Sequence, residues 1–278
     1  MDSNDFQDFA NNFESGDKIF IISSIFGGTG ASGFPLLLKT LRTGTNFPNN
    51  DLINHAEIGA ITILPYFKLK NDDESEIDSS TFISKTKSAL AYYENNISKN
   101  KSIDVLYFLA DNVTNTYENH EGGSAQQNDA HLVEFLAATA IVDFSNKQHA
   151  NTSNKELGLK DLTNSVTFDS FYENQKRLLF APLTEFMMMT NCLNHKFDYY
   201  SSKDFNANND NFNGLYGSSF MTELQNLTGL FIEWLDEMKR NKRSLDLFNL
   251  NTKDKPFEVV TGIKPKKIIS LKSDYDLV

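Results

Sequence analysis

A glycine-rich segment near the start of the chain, Gly27–Gly33, most constrains how this sequence can fold. It reads Gly-Gly-Thr-Gly-Ala-Ser-Gly and lies between the apolar run Ile19–Phe26 and the apolar, helix-like segment Phe34–Leu41. A strand, a glycine loop and a helix in that order are typical of α/β proteins that bind phosphate with bare backbone N–H groups. The sequence therefore predicts a phosphate site formed by Gly27, Gly28, Thr29, Gly30, Ala31, Ser32 and Gly33.

This segment is open to more than one interpretation. The glycines bind phosphate, or they form only a tight turn between a strand and a helix. We favour phosphate contact, because four glycines in seven residues exceed what such a turn needs. The hydroxyls of Thr29 and Ser32 either donate hydrogen bonds to phosphate oxygens or cap the helix that follows.

Apolar strands alternate with helices through the first half of the chain. Buried strands are predicted at 58–67 and 103–110, and helices at 81–97 and 125–144. The polar segment 43–55, which contains a proline, is predicted to be a loop. This alternation favours parallel β-α-β units and hence an α/β fold, with a parallel sheet flanked by helices.

The second half of the chain has a different pattern. Helices are predicted over 171–193 and 218–250, with an asparagine-rich loop between them. We therefore predict an α/β nucleotide-binding domain over residues 1–150, followed by a mainly α-helical C-terminal region over residues 151–278.

Charge and composition narrow the classes of partner. The chain of 278 residues has a formal net charge of −11, which disfavours nucleic acid and anionic membranes as partners. It contains one cysteine, Cys192, so no disulfide or cysteine metal site is predicted within one chain. The acidic N-terminus lacks the apolar region of a signal peptide, and no apolar run approaches the roughly 20 residues that span a bilayer. A cytoplasmic protein is predicted.

The order of motifs over residues 10–145 resembles that of the tubulin/FtsZ superfamily. The sequence GGTGASG is similar to the family's signature GGGTG[ST]G, with Phe26 at the first position of that signature. The segment Gly59–Phe67, GAITILPYF, is similar to the FtsZ strand that ends in proline and an aromatic residue.

Two further positions extend this resemblance. The pair Asp111 and Asn112, which ends the strand predicted at 103–110, is similar to an Asp-Asn pair of tubulins near the base and sugar. Asn128 matches the family's Asn or Asp near the start of its central helix, which pairs with the guanine edge. A carboxamide suits that role because it offers both a donor and an acceptor, although Asn128 is also suited to cap the helix.

The resemblance implies a tubulin/FtsZ-like, Rossmann-like nucleotide domain that binds GTP or GDP. In that case the segment Gly27–Gly33 contacts the phosphates, and Asp111, Asn112 and Asn128 lie near the sugar or base. Family members place the nucleotide between subunits and polymerise head to tail. The resemblance therefore also implies self-association and a cytoskeletal role.

The chain departs from the family pattern at its start, in the catalytic loop and in its C-terminal half, which is predicted to be mainly helical and does not match the family's second domain. Only 26 residues precede Gly27, so the family's first strands are missing. This implies a fragment, a partner that supplies the missing N-terminal part, or a decayed site. Residues 143–161 do not match the family's catalytic loop. GTP hydrolysis, which would require Mg²⁺, is therefore left open and no catalytic residue is assigned.

Two other functions remain as alternatives. Counted from Gly27, the segment also fits the G-x-x-G-x-x-G of short-chain dehydrogenases, and Tyr172 and Lys176 have the Tyr-x-x-x-Lys spacing of their catalytic pair. That interpretation predicts an NAD(P)-dependent oxidoreductase. The other alternative is a non-catalytic protein that binds a partner or assembles without turnover.

Overall fold

The computed structural model of the chain describes residues 4–70, 79–113, 115–118, 128–146, 170–171, 182–183, 185–187, 189–190 and 219–241. Its contacts divide the chain into two compact units. One contains Met1–Asn128 and Val133–Leu157, and the other contains Asp129–Leu132 and Gly158–Val278. The domain boundary that we predict at residue 150 lies outside the described residues.

The helices and strands follow one another in an α/β order. The described helices are α1 (Asn4–Asn12), α2 (Gly28–Thr43), α3 (Asn50–His55), α4 (Phe82–Tyr93), α5 (Leu132–Asn146) and α6 (Ser219–Arg240). The strands are β1 (Lys18–Ser24), β2 (Glu57–Ile63), β3 (Phe67–Leu69), β4 (Val105–Leu109) and β5 (Asn115–Tyr117). A short 3₁₀ turn precedes α4, and a π-helical segment, Glu94–Ser98, follows it.

Three parallel strands form the main sheet in the order β1-β2-β4. Lys18 pairs with Glu57 at the start of β1, and Gly59 pairs with Val105 at the start of β4. The short strands β3 and β5 form a separate parallel pair. The predicted α/β fold with a parallel sheet flanked by helices is confirmed at this level.

One face of the sheet packs against α2 and α4. The buried cluster on this face includes Ile19, Ile21, Ile25, Phe34, Leu38, Leu41, Ile58, Ala60 and Tyr93. Helices cover both faces, so the strands are apolar on both sides rather than alternating.

The other face of the sheet is covered by α5. The ring of Phe144 packs 5.3 Å from the ring of Phe20, and the Tyr107 hydroxyl donates to Asp143 Oδ2 at 2.9 Å. Gly59 lies directly beneath Phe144, where a Cβ would stand 2.8 Å from the ring. The glycine in β2 therefore allows α5 to approach the sheet closely.

Arg42 joins the end of α2 to the amino-terminal edge of the sheet. Its guanidinium donates to Ser102 O at 2.7 Å, Ala56 O at 2.7 Å, Asn54 O at 3.2 Å and Asp104 Oδ2 at 2.7 Å. Asp104 Oδ2 also accepts the N–H of Ile58 at 2.7 Å, so one charged pair ties α2, β2 and β4 together.

Several predicted boundaries are wrong. The helix after the glycine segment begins at Gly28 and not at Phe34, and α3 forms inside the segment predicted to be a loop. The strand predicted at 58–67 divides into β2 and β3, with Pro65, which cannot donate a ladder hydrogen bond, between them. The helix predicted at 125–144 begins at Leu132.

The second unit includes α6 and the segment Asp129–Leu132 that it binds. Arg240 donates to both carboxylate oxygens of Asp129, at 2.6 and 3.3 Å. Glu237 Oε2 accepts the N–H of Ala130 at 2.9 Å. Of the helix predicted at 218–250, residues 219–240 are helical. Within the described residues, no helix has the length and apolar character needed to cross a membrane.

Candidate functional site

The N-terminus of α2 lies immediately beyond the carboxyl end of β1. Gly27 occupies the N-cap position in an extended conformation, with φ −100° and ψ 153°. The first helical hydrogen bond runs from the Ala31 N–H to Gly27 O at 3.1 Å. Among the described residues, no side chain caps this terminus. The N–H groups of its first turn are therefore available to an anion.

An open cleft lies between this terminus and the start of α4. It has a volume of about 520 Å³ and is lined by Ile25, Gly27, Gly28, Ala31, Ser84, Lys85, Ser88 and Ala89. None of these lining residues is acidic, and Lys85, from the α4 side, is the one basic residue among them. The cleft thus combines a helix N-terminus with a lysine, a combination that attracts a group of negative charge.

The hydroxyls around the cleft are already used as donors within their own helices. Ser84 Oγ donates to Thr81 O at 2.9 Å, and Ser88 Oγ donates to Ser84 O at 3.2 Å. Ser32 Oγ donates to Gly28 O at 2.7 Å, so it neither caps the helix nor points a donor at the cleft. The backbone N–H groups of α2 and the ammonium of Lys85 remain as the donors for a ligand.

The glycines of the segment differ in how much space surrounds the position that a Cβ atom would occupy. A Cβ on Gly30 would stand 2.1 Å from the backbone oxygen of Ser24, so Gly30 is required for α2 to pack against the end of β1. A Cβ on Gly28 or Gly33 would meet nothing within 4 Å. Gly30 therefore has a structural role, whereas packing does not explain Gly28, which lines the cleft.

Tyr93 of α4 stabilises the first turns of α2. Pro35 lies inside α2 and has no N–H to donate to Ala31 O, four residues earlier. The Tyr93 hydroxyl donates to that same oxygen at 3.2 Å. Burial raises the pKa of Tyr93 to about 12, so the hydroxyl keeps its proton at neutral pH. This contact lets a helix containing Pro35 extend back to Gly28.

An aromatic cluster lies beside the cleft at the carboxyl edge of the sheet. The ring of Phe26 packs 4.9 Å from that of Phe82, at the first position of α4, and 5.7 Å from that of Phe67. Tyr66 packs against Phe67, and burial, together with Glu134 and Tyr117, raises the pKa of Tyr66 to about 12. The cluster fixes the start of α4 relative to the residue before Gly27.

The other predicted site residues lie apart from the cleft lining. Asp111 and Asn112 follow β4, whose carboxyl end shares the sheet edge with the end of β1. Asp111 Oδ1 accepts the N–H of Asn112 at 2.8 Å. Asn128 precedes the first residue of α5 by four positions and lies outside the helix. Within the described set, none of these three lines the cleft, and Thr29 is exposed beside it.

Sequence reasoning missed Ser84, Lys85 and Ser88, which form the opposite side of the cleft. The sequence predicts a helix over this segment and assigns it no site role. The order of strands and helices did indicate that α4 lies near the glycine segment. Right-handed β-α-β crossovers place α2 and α4 on the same face of the sheet, where the polar start of α4 borders the glycine segment.

The described residues contain neither the predicted dehydrogenase pair nor a group of metal ligands. Tyr172 and Lys176, the catalytic pair of the dehydrogenase alternative, lie outside the described residues. In the part of the chain that is described, no three His, Cys, Asp or Glu side chains form a group suited to hold a metal ion.

Comparisons with family models, with curated proteins and with solved structures found no match for this chain.

Proposed function

We propose that the cleft between α2 and α4 binds the phosphate groups of a nucleotide. The observation that carries this proposal is the uncapped N-terminus of α2 at Gly27 and Gly28, which lines one cleft with Lys85. The cleft lies at the carboxyl end of a parallel strand, where open α/β sheets place their ligands. Backbone N–H groups and a lysine are the donors that phosphate oxygens need.

The net charge of −11 does not oppose this local attraction. At physiological ionic strength, charges further apart than about 8 Å are largely screened from each other. Among the described residues that line the cleft there is no carboxylate, and Lys85 contributes a positive charge.

Within this proposal, GTP or GDP is the nucleotide that we infer from the sequence. The inference rests on the resemblance to the tubulin/FtsZ superfamily, with Asp111, Asn112 and Asn128 near the sugar or base. A tubulin-like fold and assembly into filaments belong to the same inference, whereas Mg²⁺-dependent hydrolysis stays open because no catalytic residue is assigned. The order of β1, the glycine segment and β4 is compatible with it.

A negatively charged side chain introduced at position 28 tests the phosphate site without disturbing the fold. The position has space for a side chain, and aspartate at the first position of a helix is favourable, so Gly28→Asp is expected to fold as well as the original protein. Its carboxylate would repel phosphate within a few ångströms, and we expect GTP affinity to fall at least about tenfold. Isothermal titration with GTP, GDP, ATP, NADH and NADPH measures the effect.

The matched control is Gly28→Asn, which has nearly the same size and no charge. We expect it to keep most of the affinity, so that a loss in both variants would indicate steric blocking instead of charge repulsion. Equal nucleotide affinity in Gly28→Asp and the original protein would refute the phosphate site. A selective response to NADH or NADPH would favour the dehydrogenase alternative over guanine nucleotides.

Lys85 provides a second test from the opposite side of the cleft. Lys85→Gln removes the positive charge and is expected to weaken nucleotide binding by about three- to tenfold, the effect of one exposed charged contact. Lys87 is exposed on the same helix but outside the cleft lining, so Lys87→Gln is the control. If both substitutions weaken binding equally, Lys85 acts through the overall charge and has no specific contact.

A further inference from the structure

Among the described residues, no strand covers the outer edge of β1. β1 is the first strand in the order β1-β2-β4, and no described strand pairs with its other side. The N–H of Ile25 donates to Ile63 O at 2.9 Å, which is toward β2. Because main-chain groups alternate in direction along a strand, those of Phe20 and Ile22 point to the outer edge. Two N–H and two C=O groups are thus available to another strand.

Two apolar side chains near this edge, those of Ile22 and Ile141, are exposed. Ile22 is 56% exposed, on the face of the sheet that α5 covers. In α5, Asp143 contacts β4 and Phe144 contacts β1, and the helical period places Ile141, 36% exposed, on the β1 side. No charged residue or proline between Ile19 and Ser24 blocks pairing at this edge.

We propose that this edge pairs antiparallel with the same edge of a second copy of the chain. Main-chain donors and acceptors in strand geometry are matched by another strand. In the register that we infer, Phe20 lies opposite the partner's Ile22 and Ile21 lies on the twofold axis. The pairs of Phe20 and Ile22 then exchange four hydrogen bonds, because both residues direct their main-chain groups outward.

The sequence of β1 is complementary to itself in this register. In this register the exposed Ile22 packs beside the partner's Phe20 on one face, and the buried Ile21 lies opposite its equivalent on the other. A contact in which one patch meets its own copy closes a twofold dimer. The second copy is therefore the occupant that this edge fits.

The two copies of α5 also have room when the two sheets are joined through β1. α5 contacts all three strands and is centred near β2. Two copies of β2 would be three strand spacings apart, roughly 14 Å. Helices pack at about 8–10 Å, so a gap remains between the two copies of α5. Ile22 and Ile141 of both copies lie where they would fill it.

The test compares the two outer strands of the sheet. Phe108 of β4 is 52% exposed at the opposite edge, close to the exposure of Ile22. Sedimentation equilibrium of the full chain is expected to show a dimer that Ile22→Lys converts to a monomer and Phe108→Lys does not. Ile22 is exposed, so circular dichroism should show that Ile22→Lys remains folded. A monomeric original protein, or a dimer that persists in Ile22→Lys, would overturn the proposal.

Cross-linking gives a second measurement that does not depend on dissociation. In a Cys192→Ser background, Ile22→Cys is expected to form covalent dimers with a short bis-maleimide, because the two cysteines would be two residues apart across the paired strands. Phe108→Cys in the same background should not. Cross-linking only through Phe108→Cys would place the contact at β4 and contradict the inference, as would equal cross-linking of both variants.

Discussion

Replacing Gly30 by alanine is expected to destabilise the folded chain by about 3 kcal/mol, the upper end of what overpacking costs. The added Cβ would stand 2.1 Å from the backbone oxygen of Ser24 and 3.1 Å from its carbonyl carbon and nitrogen. These are main-chain atoms of the central sheet and cannot rotate away. The end of β1 and the first turn of α2 would have to separate, which would also disturb the contact of Tyr93 with Ala31 O.

Gly33 provides the matched comparison in the same helix. A Cβ there meets nothing within 4 Å, so Gly33→Ala is expected to stabilise the chain by about 0.5–1 kcal/mol through helix propensity alone. Urea unfolding of the two variants, followed by circular dichroism, measures both changes. If Gly30→Ala is as stable as Gly33→Ala, the close packing of α2 on Ser24 is incorrect.

The same geometry determines which glycine can test ligand binding. A substitution at Gly30, such as Gly30→Asp, would remove binding by disrupting the fold, whatever the ligand. Gly28 has open space around its Cα and lines the cleft, so a change there alters charge and leaves the packing intact. A loss of nucleotide affinity in a Gly28 variant therefore indicates that the cleft binds phosphate.

Replacing Arg42 by methionine is expected to reduce the free energy of unfolding by about 2–3 kcal/mol. Methionine keeps much of the apolar stem, so the change isolates the loss of the guanidinium. The oxygens of Ser102 and Ala56 would each lose a 2.7 Å hydrogen bond, and Asp104 would lose its cation. The side chain of Arg42 is only 18% exposed, so water would replace these bonds poorly.

Lys39→Met is the control for this prediction. Lys39 is exposed on the same helix, and its replacement is expected to change stability by no more than about 0.5 kcal/mol. Chemical denaturation at neutral pH compares the two variants. An Arg42→Met protein as stable as the control would show that the hydrogen bonds at the amino-terminal edge of the sheet contribute little.

The parallel sheet could be predicted from the sequence because its strands are unusually apolar. The segments around β1, β2 and β4 are almost continuous runs of aliphatic and aromatic residues, which are typical of strands buried on both faces. Because these strands alternate with helices, the sequence favours parallel pairing. The short pair β3 and β5 was missed, because three residues are too few to produce a periodic pattern.

The start of α2 could not be predicted in the same way. Glycine is a poor helix former and Pro35 removes a helical hydrogen bond, so local preferences favour a helix that begins after the glycines. The structure extends the helix to Gly28 because Tyr93, 62 residues later, donates to Ala31 O. A contact between residues so distant in sequence is not encoded in the local pattern.

From the sequence alone follow the α/β class, the order of the main elements β1, α2, β2, α4, β4 and α5, and the position of a glycine segment directly after β1. These follow from hydrophobic periodicity and from the conformations open to each residue type, which are local properties. Only the tertiary structure shows that Gly28 lines the cleft, that Gly30 packs on Ser24, and that Lys85 lines the cleft from the α4 side. Those distinctions depend on which surfaces meet when α2 and α4 pack on one face of the sheet.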